Sequence, residues 1–331
     1  QGETMKTTLF TAAAVASALV WTAGAATAQS AKDFYKGKTV EIYIGYGVGG
    51  TYGKSATLIG EHLKDRIGAE AIIVKSMPGA GGLKMTNYYY NVAPKDGTAL
   101  MLPPDTIVIT ELLKPKKAKY KSGNLTWLGA AVRSNSLAAV RADSGVKTWT
   151  DLKTKEVPFG SSGLGSQTYQ IPALINGLLG TKIKIVKGYK GSRKMLLAME
   201  QGETSGLNVS WLSFKTNRKE WFDKGFAVPV IQLGPSRESD LPNVPLLSEL
   251  VADKDIPIVK FMGSLVSIGR SLAVRKEVPA DRVAFLRAAF TDMANDPKFK
   301  ADMKKRKLEA TYTSAADIQK VVDESLAMTP D

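Results

Sequence analysis

The chain has 331 residues, enough for two ordinary domains with a core each. Its 44% hydrophobic and 23% charged content excludes disordered and collagen-like classes. Net charge is +14, but only Lys114-Pro115-Lys116-Lys117 and Lys304-Lys305-Arg306-Lys307 cluster, so the excess reads as a solvated basic face attractive to anions, with no nucleic-acid surface.

In chain order, the N-terminus reads as an export signal. Met5-Lys6 supplies the basic start, 9–26 an alanine-rich apolar run, and Ala26-Thr27-Ala28 a small-x-small cleavage pattern. The mature chain is expected to begin at Gln29; Gln1 to Thr4 precede Met5 and are left out of the fold reading. No later stretch is long and apolar enough to span a bilayer. With 0 cysteines there is no disulfide, thiol nucleophile, Cys-metal site or lipoprotein anchor, so the expectation is a mature protein free in its compartment.

Residues 38–44 (KTVEIYI) predict a strand, running into Gly45-Tyr46-Gly47-Val48-Gly49-Gly50-Thr51. Leu58, Ile59, Leu63 and Ile67 carry helical spacing through 55–67. A strand at 71–75, the loop Pro78-Gly79-Ala80-Gly81-Gly82, a helix over 85–92, a turn at 94–97 and a strand at 98–102 follow. Alternation of this kind predicts parallel βαβ connections. Strands at 125–132 and 138–141 are expected to cross to a second domain, where the pattern repeats. There, a strand at 157–159 leads into Gly160-Ser161-Ser162-Gly163-Leu164-Gly165-Ser166 and a helix over 167–179, with Pro172 tolerated only near its start. A strand at 183–186, Gly188-Tyr189-Lys190-Gly191-Ser192 and a helix over 193–201 come next. Strands at 207–209 and 228–233, a Pro-bounded loop at 240–245 and an extended return at 264–274 lead to amphipathic helices over 280–292, 297–307 and 317–326, the last capped by Ser314.

Four times a strand is followed by a small-residue loop and a helix. Such loops let backbone approach a ligand, and amides at a helix start favour an anion there. In open α/β sheets the ligand crevice lies at the carboxyl ends of the strands, where these loops sit. Gly45-x-Gly47-x-x-Gly50 fits the dinucleotide fingerprint, but its second strand ends in Lys75-Ser76 where an acid should hold the ribose, so no cofactor is expected. Catalysis lacks parts as well. The lone histidine, His62, reads as a solvated helix residue beside Glu61, Lys64 and Asp65; no metal set, Cys–His pair or serine triad can be assembled around it. The alternative to a binding protein is a secreted enzyme working with a carboxylate pair, which has no motif in its favour. Tyr46, Tyr52, Tyr169, Tyr189 and Trp211 flank the Gly loops, as packing or as a wall over a ligand, with Tyr52 and Tyr169 the stronger candidates.

Read together, Gly49-Gly50-Thr51-Tyr52, Met77-Pro78-Gly79-Ala80-Gly81-Gly82, Pro94-Lys95-Asp96-Gly97-Thr98, the Ser-rich loop, Gly188-Tyr189-Lys190-Gly191-Ser192 and residues 237–245 resemble, in the same order, the Bug-family solute receptors of tripartite tricarboxylate transporters. The resemblance implies an α/β, two-domain periplasmic binding protein that closes like a flytrap, each domain a mostly parallel sheet flanked by helices. It implies domain I at 33–135 plus 262–331 and domain II at 136–261, after a signal and upstream segment at 1–28. It further implies a monomer that hands a small carboxylate to a two-component membrane permease, and is not an enzyme. The expected ligand-binding residues are Val48, Gly49, Gly50, Thr51, Tyr52, Ala80, Gly81, Asp105, Ser161, Ser162, Gly165, Ser166, Gln167, Tyr169, Gly191 and Asn208. Three departures stand out: Gly53 where the family usually has Asp, Tyr169 where a His is common, and Ser205 in place of another Asp. They point away from amino acids, toward an aromatic or other non-amino carboxylate.

Overall fold

A computed structural model of the chain describes residues 30–265 and 268–328. The export signal and its cleavage site lie outside the described residues. None of the described helices is long and apolar enough to cross a membrane.

The chain builds two five-stranded sheets. The first takes β1 (Thr39–Ile44), β2 (Ala71–Ser76), β3 (Ala99–Leu102), β4 (Leu125–Ala130) and β10 (Ser271–Arg275), in the order β2-β1-β3-β10-β4. The second takes β5 (Ser136–Arg141), β6 (Val157–Ser161), β7 (Ile183–Lys187), β8 (Gly206–Ser210) and β9 (Ala227–Leu233), in the order β7-β6-β8-β5-β9. β1 pairs parallel with β2 and β3, and β6 with β7 and β8. β10 and β5 pair antiparallel with both of their neighbours. In each sheet four strands therefore run one way and one runs against them.

Helices cover both faces. In the first half, α2 (Thr51–Ile67), α10 (Ala280–Asn295) and α11 (Pro297–Lys305) pack on one face around Ile42, Leu58, Leu63 and Phe290, following α1 (Ala31–Tyr35). On the other, α3 (Leu83–Asn91), α4 (Ile107–Leu113) and α12 (Ala315–Ala327) enclose Met85, Tyr89, Trp127 and Ile318. That second core continues into the other half through Phe159, Ile175 and Val230, under α5 (Gln167–Leu179) and α9 (Ile256–Ser264). The outer face of the second sheet buries Met195, Phe214 and Trp221 beneath α6 (Ser192–Glu200), α7 (Trp211–Arg218) and α8 (Glu220–Asp223). Burying one apolar face of every element against a sheet is the stable solution for such a chain.

Several expectations need correction. The helix expected over 55–67 begins four residues earlier, at Thr51, so the Gly-rich loop ends directly on it. The return at 264–274 is not extended as a whole: Ser264 closes a helix, 268–270 form a turn, and only Ser271–Arg275 is strand. Pro172 sits at the sixth residue of α5, past the first turn, and leaves the Thr168 carbonyl without its helical donor. His62 is not a solvated residue: its side chain is 10% exposed, with Nε2 2.9 Å from Asp302 Oδ2 and its ring edge-on to Phe299. The helical stripe brought α11 down on that side of α2. Ser314 does cap α12, accepting from the Asp317 amide at 3.1 Å.

Candidate functional site

The four Gly-rich loops leave the carboxyl ends of β1, β2, β6 and β7, two from each half, and meet face to face. Backbone pairs cross between them. The Gly47 amide donates to the Lys190 carbonyl at 2.8 Å, Gly81 to Ser162 at 3.0 Å, and Gly165 to Ala80 at 3.2 Å. Side chains add Thr106 Oγ1 donating to the Gly165 carbonyl at 2.8 Å and Gln170 Nε2 donating to Thr110 Oγ1 at 3.0 Å. Gly81 has φ +72°, and a Cβ there would stand 2.6 Å from the Ser166 nitrogen across the seam. At this position glycine serves the contact between the halves as much as any ligand.

Behind the seam lies a cavity of about 30 Å³. Gly50, Thr51 and Tyr52 from the start of α2 form one wall; Ser162, Ser166, Gln167 and Gly191 form the other. Seven expected residues thus share one space. Thr168 organises the Ser-rich loop: its Oγ1 lies 2.6 Å from Ser166 Oγ and 3.1 Å from Ser161 Oγ, and accepts the Ser162 amide at 3.0 Å. Asn208 supports this wall from β8, donating to Ser136 Oγ at 2.8 Å and to the Gln167 carbonyl at 3.3 Å. Ala80, Gly81 and Gly165 belong to the seam, and Asp105 stands behind Tyr52, its amide donating to Tyr52 Oη at 3.1 Å.

Three expected residues are placed elsewhere. Val48, 56% exposed, and Gly49 face an outer groove with Lys190 and Arg193. Tyr169 lines a separate apolar groove with Leu113, Leu174 and Phe261. Of the other flanking aromatics, Tyr46 joins the cavity wall, its ring 4.5 Å from that of Tyr52, whereas Trp211 packs in the core and Tyr189 donates outward to Glu203 at 2.6 Å.

Sequence reasoning missed the principal charge. Arg270 also lines the cavity and is 3% exposed, its guanidinium 4.3 Å above the Tyr52 ring. Its Nη2 donates to Ser210 Oγ at 3.0 Å; Ser210 Oγ is 2.9 Å from Ser213 Oγ, which is 2.5 Å from Thr51 Oγ1. A hydroxyl chain thus runs across the cleft to the start of α2. Among the described residues, Arg270 Nε and Asp105 Oδ1 have no hydrogen-bond partner. Burial raises the Asp105 carboxyl above its ordinary range; the charge of Arg270 and the Thr106 amide pull it back only in part. Burial likewise holds the Tyr46 and Tyr52 hydroxyls protonated. The wall therefore offers one guanidinium, several hydroxyls and helix-start amides, a set suited to an anionic oxygen group. Arg270 carries no sequence signal, because Gly269-Arg270-Ser271 matches no motif and its chain neighbours say nothing of the distant Tyr52.

The departure at Gly53 has a steric cause. A Cβ there would lie 2.0 Å from the Val48 carbonyl oxygen, so the loop in this chain leaves no room for an Asp.

Comparison with known proteins agrees with this architecture. Residues 56–329 match the family described as "Tripartite tricarboxylate transporter family receptor". A curated protein of Agrobacterium vitis, the "UPF0065 protein in the TAR-I ttuE-ttuC' intergenic region", is 28% identical over 167 residues, 49% of this chain and 47% of the relative. The chain thus spans about half the length of the curated relative it matches. Among solved structures, the periplasmic binding protein BugD superposes with a TM-score of 0.72 at 17% identity, over 88% of this chain and 95% of that one. A protein of R. palustris solved with adipate gives 0.70 at 21%, over 88% and 94%. MatC of Rhodopseudomonas palustris with bound malate gives 0.69 at 18%, over 88% and 97%. At these identities the structures speak for the two-domain α/β fold, and the family match over most of the chain decides membership: this protein belongs to the tripartite tricarboxylate transporter receptors, a family of solute-binding receptors.

Proposed function

We propose that this receptor captures a small carboxylate between its two halves and delivers it to a two-component tripartite tricarboxylate permease in the membrane. In this reading it works in the periplasm after loss of the segment ending at Ala28, as a monomer, without cofactor and without turnover. Its domains are 33–135 plus 262–331 and 136–261. The observation that carries the reading is Arg270. A guanidinium held out of water, with Nε unpartnered among the described residues, calls for an anion in the cavity beside it. The adipate and malate bound by the two solved relatives support a dicarboxylate; a tricarboxylate or an aromatic carboxylate completes the proposed class.

A thermal-shift screen of aliphatic and aromatic mono-, di- and tricarboxylates tests the reading. A ligand at 100 times its Kd should stabilise the protein by about 2.7 kcal/mol. Arg270→Gln should weaken the same ligand by roughly 30-fold, about 2 kcal/mol for a lost charge-assisted bond. If no acid shifts the melting point, or if the variant binds as well as the parent, the reading fails.

A further inference from the structure

The outer side of the seam holds a second basic surface. Gly47 to Gly50, Lys190, Arg193, Lys194, Leu197 and Arg218 line a groove of about 510 Å³. Lys190, Arg193, Lys194 and Arg218 come from the second half. Lys54 on α2 and Lys307 come from the first, and both reach the same neighbourhood. Lys54 is held below its ordinary range by burial first, then by the charges of Arg193, Lys307 and Arg218. Glu200 is the one acid paired with these cations among the described residues, its Oε2 2.8 Å from Arg218 Nη2. Lys54 Nζ meets only a neutral oxygen across the seam, Asn217 Oδ1 at 2.9 Å. A neighbouring seam cation is treated differently: Lys215 lies 3.1 Å from Asp240 and 2.9 Å from Glu309, one acid from each half. At the groove, then, closure of the halves gathers like charges with too few acids to balance them. Arginine forks in such a place match the paired oxygens of an oxyanion.

We infer that this groove binds a small multivalent oxyanion of the phosphate class, separate from the cleft cavity, and that the bound anion bridges the two halves and favours their closure. The inference does not depend on the carboxylate reading, since it uses none of the cavity's polar side chains. Inorganic pyrophosphate is the probe, titrated calorimetrically into the full chain against sodium chloride of equal ionic strength. Saturable one-to-one binding is expected, weakening as salt rises. The double variant Lys190→Gln, Arg193→Gln, both exposed positions, should bind at least about tenfold more weakly, while Arg270→Gln binds as the parent does. Should the double variant lose its fold, Lys194→Gln alone should still weaken binding about two- to threefold. Heat no greater than that of the chloride control would overturn the inference. So would loss of pyrophosphate binding in Arg270→Gln, which would put the anion in the cleft, or binding confined to long polyanions such as heparin.

Discussion

A guanidinium with 3% exposure has lost most of its hydration, and the aromatic face of Tyr52 and the hydroxyl of Ser210 return only part of it. Asp105 is its countercharge at a distance, and the cost of that carboxylate falls on the fold. Its folded-state value is raised, so the native chain holds this proton where the unfolded chain has released it. The stabilisation is complete below the ordinary carboxylate range and is lost as pH rises through the elevated value. Asp105→Asn removes this loss. The melting temperature of the parent relative to the variant should therefore fall as pH rises above the ordinary carboxylate range, and parallel curves would refute the assignment. Single residues were unevenly legible. Ser162, Ser166 and Gln167 announce themselves by lying between a strand and a helix, whereas Arg270 and Ser213 gain their meaning from Tyr52 and Thr51, more than 150 positions away across the cleft.

A stripe and a stop fix an element's existence and, in one helix, its ends, whereas α2 with the same signals starts four residues early. α5 spans Gln167–Leu179 as expected, because Ser166 opens it in extended backbone and Gly180 ends it in the left-handed region. α4 was not foreseen: Ile107, Val108, Ile109, Thr110 and Glu111 are all buried, so it shows no polar face and its β-branched run mimics a strand. α7 follows β8 without a loop, and α9 opens Ile256-Pro257-Ile258-Val259, which hides a helix in the same way. The seam loops give a sharper test of what their glycines do. Gly81→Ala places a methyl against Ser166 across the seam, a clash that exists only while the halves are together. Ligand affinity should fall about tenfold or more, with a smaller effect on melting in the absence of ligand, of the order of the ~1–2 kcal/mol left-handed penalty. Unchanged affinity would show that the loops part and meet without this contact.

At the scale of the molecule, a cavity of about 30 Å³ accommodates one or two waters. Capture of a ligand between the halves requires the seam loops to part and meet again around it. The amides of Gly47, Gly81 and Gly165, which cross the seam, should exchange with deuterium far faster than those of β1 and β6, and a bound carboxylate should slow them. Protection equal to that of the strands would mean that the halves do not part. Two α/β halves were legible from the repeated strand, loop and helix. The way the loops lie on one another was not, because it depends on pairs such as Gly81 and Ser162 that no local pattern connects. The reversed strand in each sheet has its own consequence. β5 and β10 are the strands laid down straight after the chain passes from one half to the other, and β4 has no partner in its sheet except β10. Every residue needed for the second sheet is made before Ser271, while the first sheet stays in two pieces until Arg275 has left the ribosome. Synthesis thus begins the first half and completes it last, and a chain cut short before β10 carries one finished sheet, the second.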